Sequence, residues 1–322
     1  MKNGYKKVLV WTATVVVVAA ISFAIWYLAK SDMEKAEANA KKNMEPTPAM
    51  AIKGLVLEQT NGNKIEWVLN SKYANVFGTP GSQIVFSDVK AFVYGTKDPS
   101  EIYTINSLGG TYWTKDDKID LSGNVVLGTA KGYSFYTDEA LYDINKKKIS
   151  TKSNVSAKGS ADKGERLYVE GVGLKGDVAE GDFYLIDKVI ATLGTKLNIK
   201  SKKAVFNTKK NNVTFDGGVS AQKEKVNISG GKLSVGYSKK GEMNDMNVEG
   251  DVAIKTNKKK ALCDHALIKA NSDEIVLTGK PEFHSGSDII VGEKIVFFTD
   301  SEEVYVSKVK ATVTEKAVRR KK

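Results

Sequence analysis

Hydrophobic and polar positions along this chain follow two regimes. From Val8 to Ala29 no charged residue interrupts the run, and at ~1.5 Å per residue a helix of that length reaches about 33 Å, enough to cross a hydrocarbon core of ~30 Å. After residue 55 the pattern becomes short stretches in which alternate positions are apolar, punctuated by Gly, Asn, Asp and Lys. That is the mark of half-buried strands separated by turns.

The alternating region repeats with a period of about thirty residues. One half of the unit reads apolar, any, small, any, Val, any, apolar, with clear copies at Leu121–Leu127, Phe215–Ala221, Val248–Ile254 and Leu277–Phe283. Weaker copies start at Val85, Thr151 and Leu185, so the seven starts are spaced by 36, 30, 34, 30, 33 and 29 residues. A second half-unit recurs at Leu69–Val76, Phe135–Tyr142, Ile199–Phe206, Ile228–Val235, Ala261–Ile268 and Ile290–Phe297. In the first half the apolar positions share one parity and point to one face. In the second, a step of three breaks parity, which predicts a bulge or corner. Turn signals at Lys209–Asn212 and Asn257–Lys260 make each unit an antiparallel strand pair. Stacking the units predicts about fourteen strands in two inward-facing sheets, with free pairing edges at the ends.

The flanks of the N-terminal run give it a direction. Lys2, Lys6 and Lys7 precede it without an acid, while Lys30, Asp32, Glu34, Lys35 and Glu37 follow with mixed sign, which keeps the N-terminus in the cytoplasm. Trp11 and Trp26-Tyr27 sit where interfacial rings belong. Ser22-Phe23-Ala24 and Ala38-Asn39-Ala40 would suit a cleaved signal peptide, but the apolar run is long for one and a retained anchor is the preferred reading. A polar spacer then ends at Pro46-Thr-Pro48.

Composition adds little to this and removes some alternatives. The net charge of +11 comes from 49 basic residues interleaved with 38 acidic ones, so it reads as solubility rather than a nucleic-acid surface. A single cysteine, Cys263, forbids an intramolecular disulfide and occupies the small position of a second half-unit, as a packed thiol would.

The stretch Ile275-Val-Leu-Thr-Gly-Lys-Pro-Glu-Phe283 followed by Ile289-Ile-Val-Gly-Glu-Lys-Ile-Val-Phe-Phe298 resembles the paired-strand motif of the lipopolysaccharide-transport (Lpt/OstA) β-jellyroll family. Leu121-Ser-Gly-Asn-Val125 with Phe135–Tyr142 is similar to the corresponding part of its membrane-anchored, LptC-like members, and the chain is longer than those, as though LptA-like units followed residue 195. The resemblance implies an all-β, elongated open β-jellyroll of stacked antiparallel strand pairs behind one N-terminal transmembrane helix. It divides the chain into a cytoplasmic N-terminus and anchor (1–30), a linker (31–54), an LptC-like jellyroll (55–195), LptA/OstA-like repeats (196–315) and a basic tail (316–322).

It further implies a non-enzymatic, cofactor-free carrier in the inner membrane with a periplasmic body. Its expected partners are lipopolysaccharide, the permease subunits of an inner-membrane ABC transporter and another β-jellyroll protein joined end to end, with no nucleic acid. The expected lipid groove is lined by Val125, Leu127, Phe135, Phe206, Phe215, Val219, Ile228, Val252, Ile254, Leu277, Phe283, Ile295 and Phe297; taken singly each of them reads first as dry core packing, and only the set points to transport. A membrane-tethered β-solenoid scaffold is the competing reading. A carbohydrate-cleaving β-helix would need clustered carboxylates, which the sequence does not present.

Other motifs lead elsewhere. Gly171-Val-Gly-Leu-Lys-Gly176 has the spacing of a dinucleotide loop but is followed by Gly and acids instead of a helix, so it is expected to be a turn. His265 and His284 lack metal-ligand spacing, and Lys146–Lys148, Lys258–Lys260 and Arg319–Lys322 are expected to be solvated turns and a frayed tail.

Overall fold

The computed structural model describes residues 26–27, 30–34, 48–78, 82–95, 98–159, 167–194, 197–238, 243–256, 258–270, 272–299, 301, 303–308 and 310–312. The chain divides into two units, Met1–Pro48 and Ala49–Lys322. In the first, residues 26–27 and 30–34 are helical. No helix among the described residues is long and apolar enough to cross a membrane. The span expected at 8–29 lies outside them, apart from Trp26 and Tyr27, and so does the basic tail.

The second unit is a single antiparallel sheet of 21 strand segments among the described residues. It begins with β1 (Met50–Asn61), β2 (Lys64–Phe77), β3 (Gln83–Tyr94), β4 (Ile102–Trp113), β5 (Lys118–Gly128), β6 (Ser134–Asp143) and β7 (Lys148–Lys158). Then come β8 (Leu167–Asp177), β9 (Asp182–Leu193), β10 (Leu197–Ser201), β11 (Lys203–Asn207), β12 (Asn212–Lys223), β13 (Val226–Tyr237), β14 (Met243–Lys255) and β15 (Lys259–Ile268). The last six are β16 (Glu274–Thr278), β17 (Glu282–Ser285), β18 (Asp288–Val291), β19 (Lys294–Phe298), β20 (Val304–Ser307) and β21 (Lys310–Thr312).

Each long strand pairs with the strands that precede and follow it in sequence. The short segments pair two by two with one long neighbour, as β10 and β11 do with β9, so they are halves of broken strands. The expectation of about fourteen strands in two sheets is therefore corrected. More strands form, because β1, β4 and β8 carry no clear copy of the repeat, and all belong to one sheet folded along its middle.

The fold line is written in the small residues of the first half-unit. Gly123-Asn124, Gly217-Gly218, Gly250-Asp251 and Gly279-Lys280 all have left-handed φ between 48° and 87°, a conformation open mainly to Gly, Asn and Asp. Two such residues in succession turn the strand through a corner, and the ladder shifts register there, between Ser122 and Val125 and between Asp216 and Val219. The first half-unit is thus a corner rather than an unbroken one-faced strand. It carries one residue more than the partner strand at the corner, and that extra residue keeps the flanking apolar positions in one parity and conceals the bend. The parity break of the second half-unit marks a corner as well, without an extra residue of its own: register shifts between Tyr136 and Leu141 and between Ser229 and Lys232, with the additional residue on the partner strand. Successive corners stack closely, and at Gly230 a Cβ would stand 2.7 Å from Val248 Cγ1.

Every strand therefore contributes one half to each of two facing walls. The first wall holds the β4 half before its corner and the β5 half after it, paired Ile105 to Leu127, and the second holds Gly110 paired to Leu121. Inward-facing apolar residues of both walls form one buried cluster from Trp67 to Phe297. The ladder runs unbroken past residue 195, with Leu193 opposite Leu197 and Ala191 opposite Ile199.

The segment Gly171–Gly176 lies within β8, where Gly173 (φ 74°) makes the corner, so it is a strand rather than the expected turn. Its neighbours explain the glycine at 176: a Cβ there would meet the Phe183 ring at 2.5 Å and Ile149 at 2.8 Å.

Candidate functional site: the interior between the walls

All thirteen residues expected to line a groove face inward and are at most 4% exposed. Val125, Leu127, Phe135, Val219, Ile228, Val252, Ile254 and Phe283 stand on the first wall, and Phe206, Phe215, Leu277, Ile295 and Phe297 on the second. The walls meet through aromatic contacts. Phe135 lies 5.0 Å from Phe183 and 5.1 Å from Phe206, the latter edge-on at 80°, and Tyr103 packs on Phe183 at 6.1 Å. Further along, Phe283 meets Phe297 at 5.2 Å. Offset and edge-to-face geometries of this kind add about 0.5–1.5 kcal/mol per pair beyond area burial.

The walls are staggered. Phe135 on β6 reaches β9 and β11 across the interior, several strands along, whereas Phe283 on β17 reaches β19, the other half of the very next broken strand, β18–β19. The N-terminal half is thus wound more steeply than the C-terminal half.

The side opposite the corners carries the hairpin turns, and polar straps cross it. The Tyr133 hydroxyl donates to Asn211 Oδ1 at 3.0 Å, and the Asn211 amide donates on to the carbonyls of Tyr237 and Ser238, each at 3.1 Å. Lys147, in the β6–β7 turn, pairs with Glu66 on β2 at 3.0 Å. Lys259, 8% exposed, donates from Nζ to the carbonyls of Phe298 at 3.3 Å and of Ser301. Lys147 and Lys259 thus correct the expectation of solvated lysines, since each spans the two walls. Sequence spacing could not reveal these contacts, because Glu66 and Lys147 are 81 positions apart and Tyr133 and Asn211 are 78 apart.

The interior is closed. Near its N-terminal end an apolar crevice runs between Trp67, Leu69, Ala91, Val93 and Ile105 on the first wall and Ile119, Leu121 and Tyr142 on the second. It is a cavity of about 10 Å³, at the lower limit for holding one water. Tyr142, 3% exposed, has a hydroxyl with no hydrogen-bond partner among the described residues. Burial, with the nearby Glu66 and Asp143 charges, raises its pKa, and burial likewise raises those of Tyr133 and Tyr103. All three phenols are therefore neutral donors in any ordinary buffer.

Among the described residues no group of His, Cys, Asp and Glu is arranged to hold a metal. His284 Nε2 lies 2.6 Å from Glu282 Oε1, while His265 is exposed. Cys263 is buried, and burial pushes its thiol up to about 11, so it packs as a small apolar group instead of reacting.

Among solved structures, LptH of Pseudomonas aeruginosa, the LptA-homologous periplasmic component of a lipopolysaccharide transport device, is similar at 14% identity over 37% of this chain and 95% of its own, with a TM-score of 0.34. Among curated proteins none matches. The family model for LptA and the LptD N-terminal domain, a lipopolysaccharide-transport family, matches residues 198–303. The model described as lipopolysaccharide-assembly, LptC-related, matches residues 14–194, more than half of the chain. With over half its length in that match and most of the remainder in a second lipopolysaccharide-transport domain, the chain belongs to the LptC-related lipopolysaccharide-assembly family, with an LptA-like C-terminal part.

Proposed function

We propose that this protein receives lipopolysaccharide from an inner-membrane ABC transporter through its permease subunits and conducts it between the walls of its sheet toward a second β-jellyroll, joined end to end. Residues 1–30 hold it in the inner membrane with the N-terminus in the cytoplasm, residues 31–54 are a linker, and the body lies in the periplasm. One polypeptide then does the work of an LptC-like segment (55–195) and an LptA-like segment (196–315).

The observation that carries this reading is the single apolar cluster from Trp67 to Phe297, which passes the junction between the two family segments without interruption. An acyl chain of about a dozen carbons loses roughly 10 kcal/mol on leaving water for such an interior. A path that is apolar throughout removes the barrier between successive positions. Because the interior is closed, lipid is admitted when the walls part along the hairpin side, and the thirteen groove residues exchange their contacts with one another for contacts with acyl chains.

The closed interior is also what favours a second reading, a membrane-tethered scaffold that never takes up lipid. Photo-crosslinking in cells separates the two, with a photoreactive residue at Phe215, fully buried, and at Asp216, exposed and adjacent. Lipopolysaccharide adducts at 215 alone support the carrier. A folded, membrane-anchored protein that gives adducts at neither position refutes it and leaves the scaffold.

A further inference from the structure

The outer face of the first wall holds an open groove of about 660 Å³ over β5 to β9, on the side of the sheet away from the core. That volume lies within the ~300–1,000 Å³ of small-molecule sites. The groove follows a run of corners. The ladder shifts register in four successive pairings, between Ser122 and Val125, Tyr136 and Leu141, Thr151 and Asn154, and Glu170 and Val172. Each shift bends and twists its strand, and four in succession hollow the face they border.

The floor is apolar and the rim polar. Val126, Tyr136, Val172 and Ile190 make the floor, Ile190 standing 51% exposed. The rim comes from the corners, with Asn124 (φ 49°) and Lys188 (φ 53°) joined by Asp138 and Asn154, and Glu170 lies opposite Ile190. The side chains of Asn124, Asp138, Asn154 and Lys188 make no hydrogen bond or ion pair among the described residues. Charge is balanced: Lys188, and Lys158 with its ammonium 4.9 Å over the Tyr136 ring, stand against Asp138 and Glu170.

This lining discriminates between ligand classes. An acyl chain would desolvate the rim and leave it unpaired, at about 1–3 kcal/mol for each buried polar group. An anion would meet two carboxylates, and no metal-ligand cluster forms among the described residues. A peptide strand finds no edge to extend, because β5 to β9 are each paired on both sides. A sugar ring matches both parts, setting its C–H face on the floor and its hydroxyls, each donor and acceptor, against the amides and carboxylates of the rim.

We propose that this groove binds a short neutral saccharide, with Asn124, Asp138 and Asn154 taking its hydroxyls. The site lies outside the walls, so it goes beyond the carrier reading and does not depend on lipid entering the interior. Two sources offer that chemistry, the neutral sugars of lipopolysaccharide and a glycan of the surrounding envelope.

Isothermal titration of the full chain in lipid nanodiscs, free of sugar-headed detergents that would compete, tests the proposal with a probe for each source. One is the N-acetylglucosamine trimer and the other is the lipid-free saccharide released from lipopolysaccharide by acid. The expected result is saturable binding of at least one probe. Asn154→Ala weakens it about fivefold, the size of one neutral hydrogen bond, and Ile190→Arg, which fills the groove from an exposed position, abolishes it. Tyr184→Ala, exposed on the outer face of the second wall, binds as the parent does. The trimer binding alone identifies an envelope glycan, and the released saccharide binding alone identifies the sugars of lipopolysaccharide. Binding of neither probe overturns the proposal. So does binding that survives Ile190→Arg in a variant whose thermal unfolding matches the parent, or a loss equally produced by Tyr184→Ala.

Discussion

Replacing Phe206 by alanine removes the ring that couples the two walls at mid-length. Phe206 is fully buried, edge-on to Phe135 at 5.1 Å and to Tyr133 at 5.8 Å. A buried Phe→Ala change costs about 3–5 kcal/mol from lost transfer energy and the cavity left behind. With two ring partners gone and a stacked array that cannot collapse locally, the upper half of that range applies, about 4 kcal/mol. Phe206→Leu, which keeps most of the volume, should cost only about 1.5 kcal/mol. Lys203→Ala, exposed on the same strand, should stay within about 0.5 kcal/mol. Amide hydrogen exchange on the full chain is the assay, because an array of repeats need not unfold in a single step. Strand β6 is not a ladder neighbour of β11, whose partners are β9 and β12. If the ring couples the walls, protection falls in β6 as well as in β9 and β12. Loss confined to β9 and β12, or a cost no greater than that of the leucine variant, would refute the argument.

Three further outcomes follow from particular contacts. Lys259→Met keeps the buried stem but removes the ammonium that bridges to Phe298 and Ser301. It should destabilise by about 2 kcal/mol, the worth of a charge-assisted hydrogen bond, read as faster exchange in β19 and β20. With its thiol near 11, Cys263 holds only about 0.1% thiolate at about pH 8, against roughly a quarter for a free thiol. It should resist iodoacetamide in the native protein and react on urea unfolding. The carboxyl of Asp245 is held below its usual range by hydrogen bonds from Lys269 and the Ala270 amide. Its contribution is full above about pH 4, the ordinary Asp value, and is lost as pH falls through the lower folded value. Asp245→Asn should therefore be destabilising at neutral pH, by an amount that shrinks in urea titrations below pH 4.

The alternation of apolar residues and the repeated small positions determined, from sequence alone, that the body is a stack of antiparallel strands with one buried face. Those features are local: a strand of period two exposes its buried side in every window, and a Gly-Asn or Gly-Gly pair carries its left-handed backbone wherever the fold puts it. The thirteen inward residues were legible for the same reason, since parity places a side chain on a face without reference to its neighbours. Parity also misled, because the paired left-handed residues of Leu121–Leu127 restore the spacing they interrupt and hide the corner.

What tertiary structure decided is how the two halves of each strand meet. Whether Phe135 faces Phe183 and Phe206, whether Lys147 finds Glu66, and whether Tyr142 is left without a partner all depend on the stagger between walls. That stagger accumulates from small twists over many strands and has no signature in any short stretch of sequence. The sequence could therefore place an apolar interior, while the closed slot beside Tyr142 and the straps across it arise only once the sheet has folded onto itself.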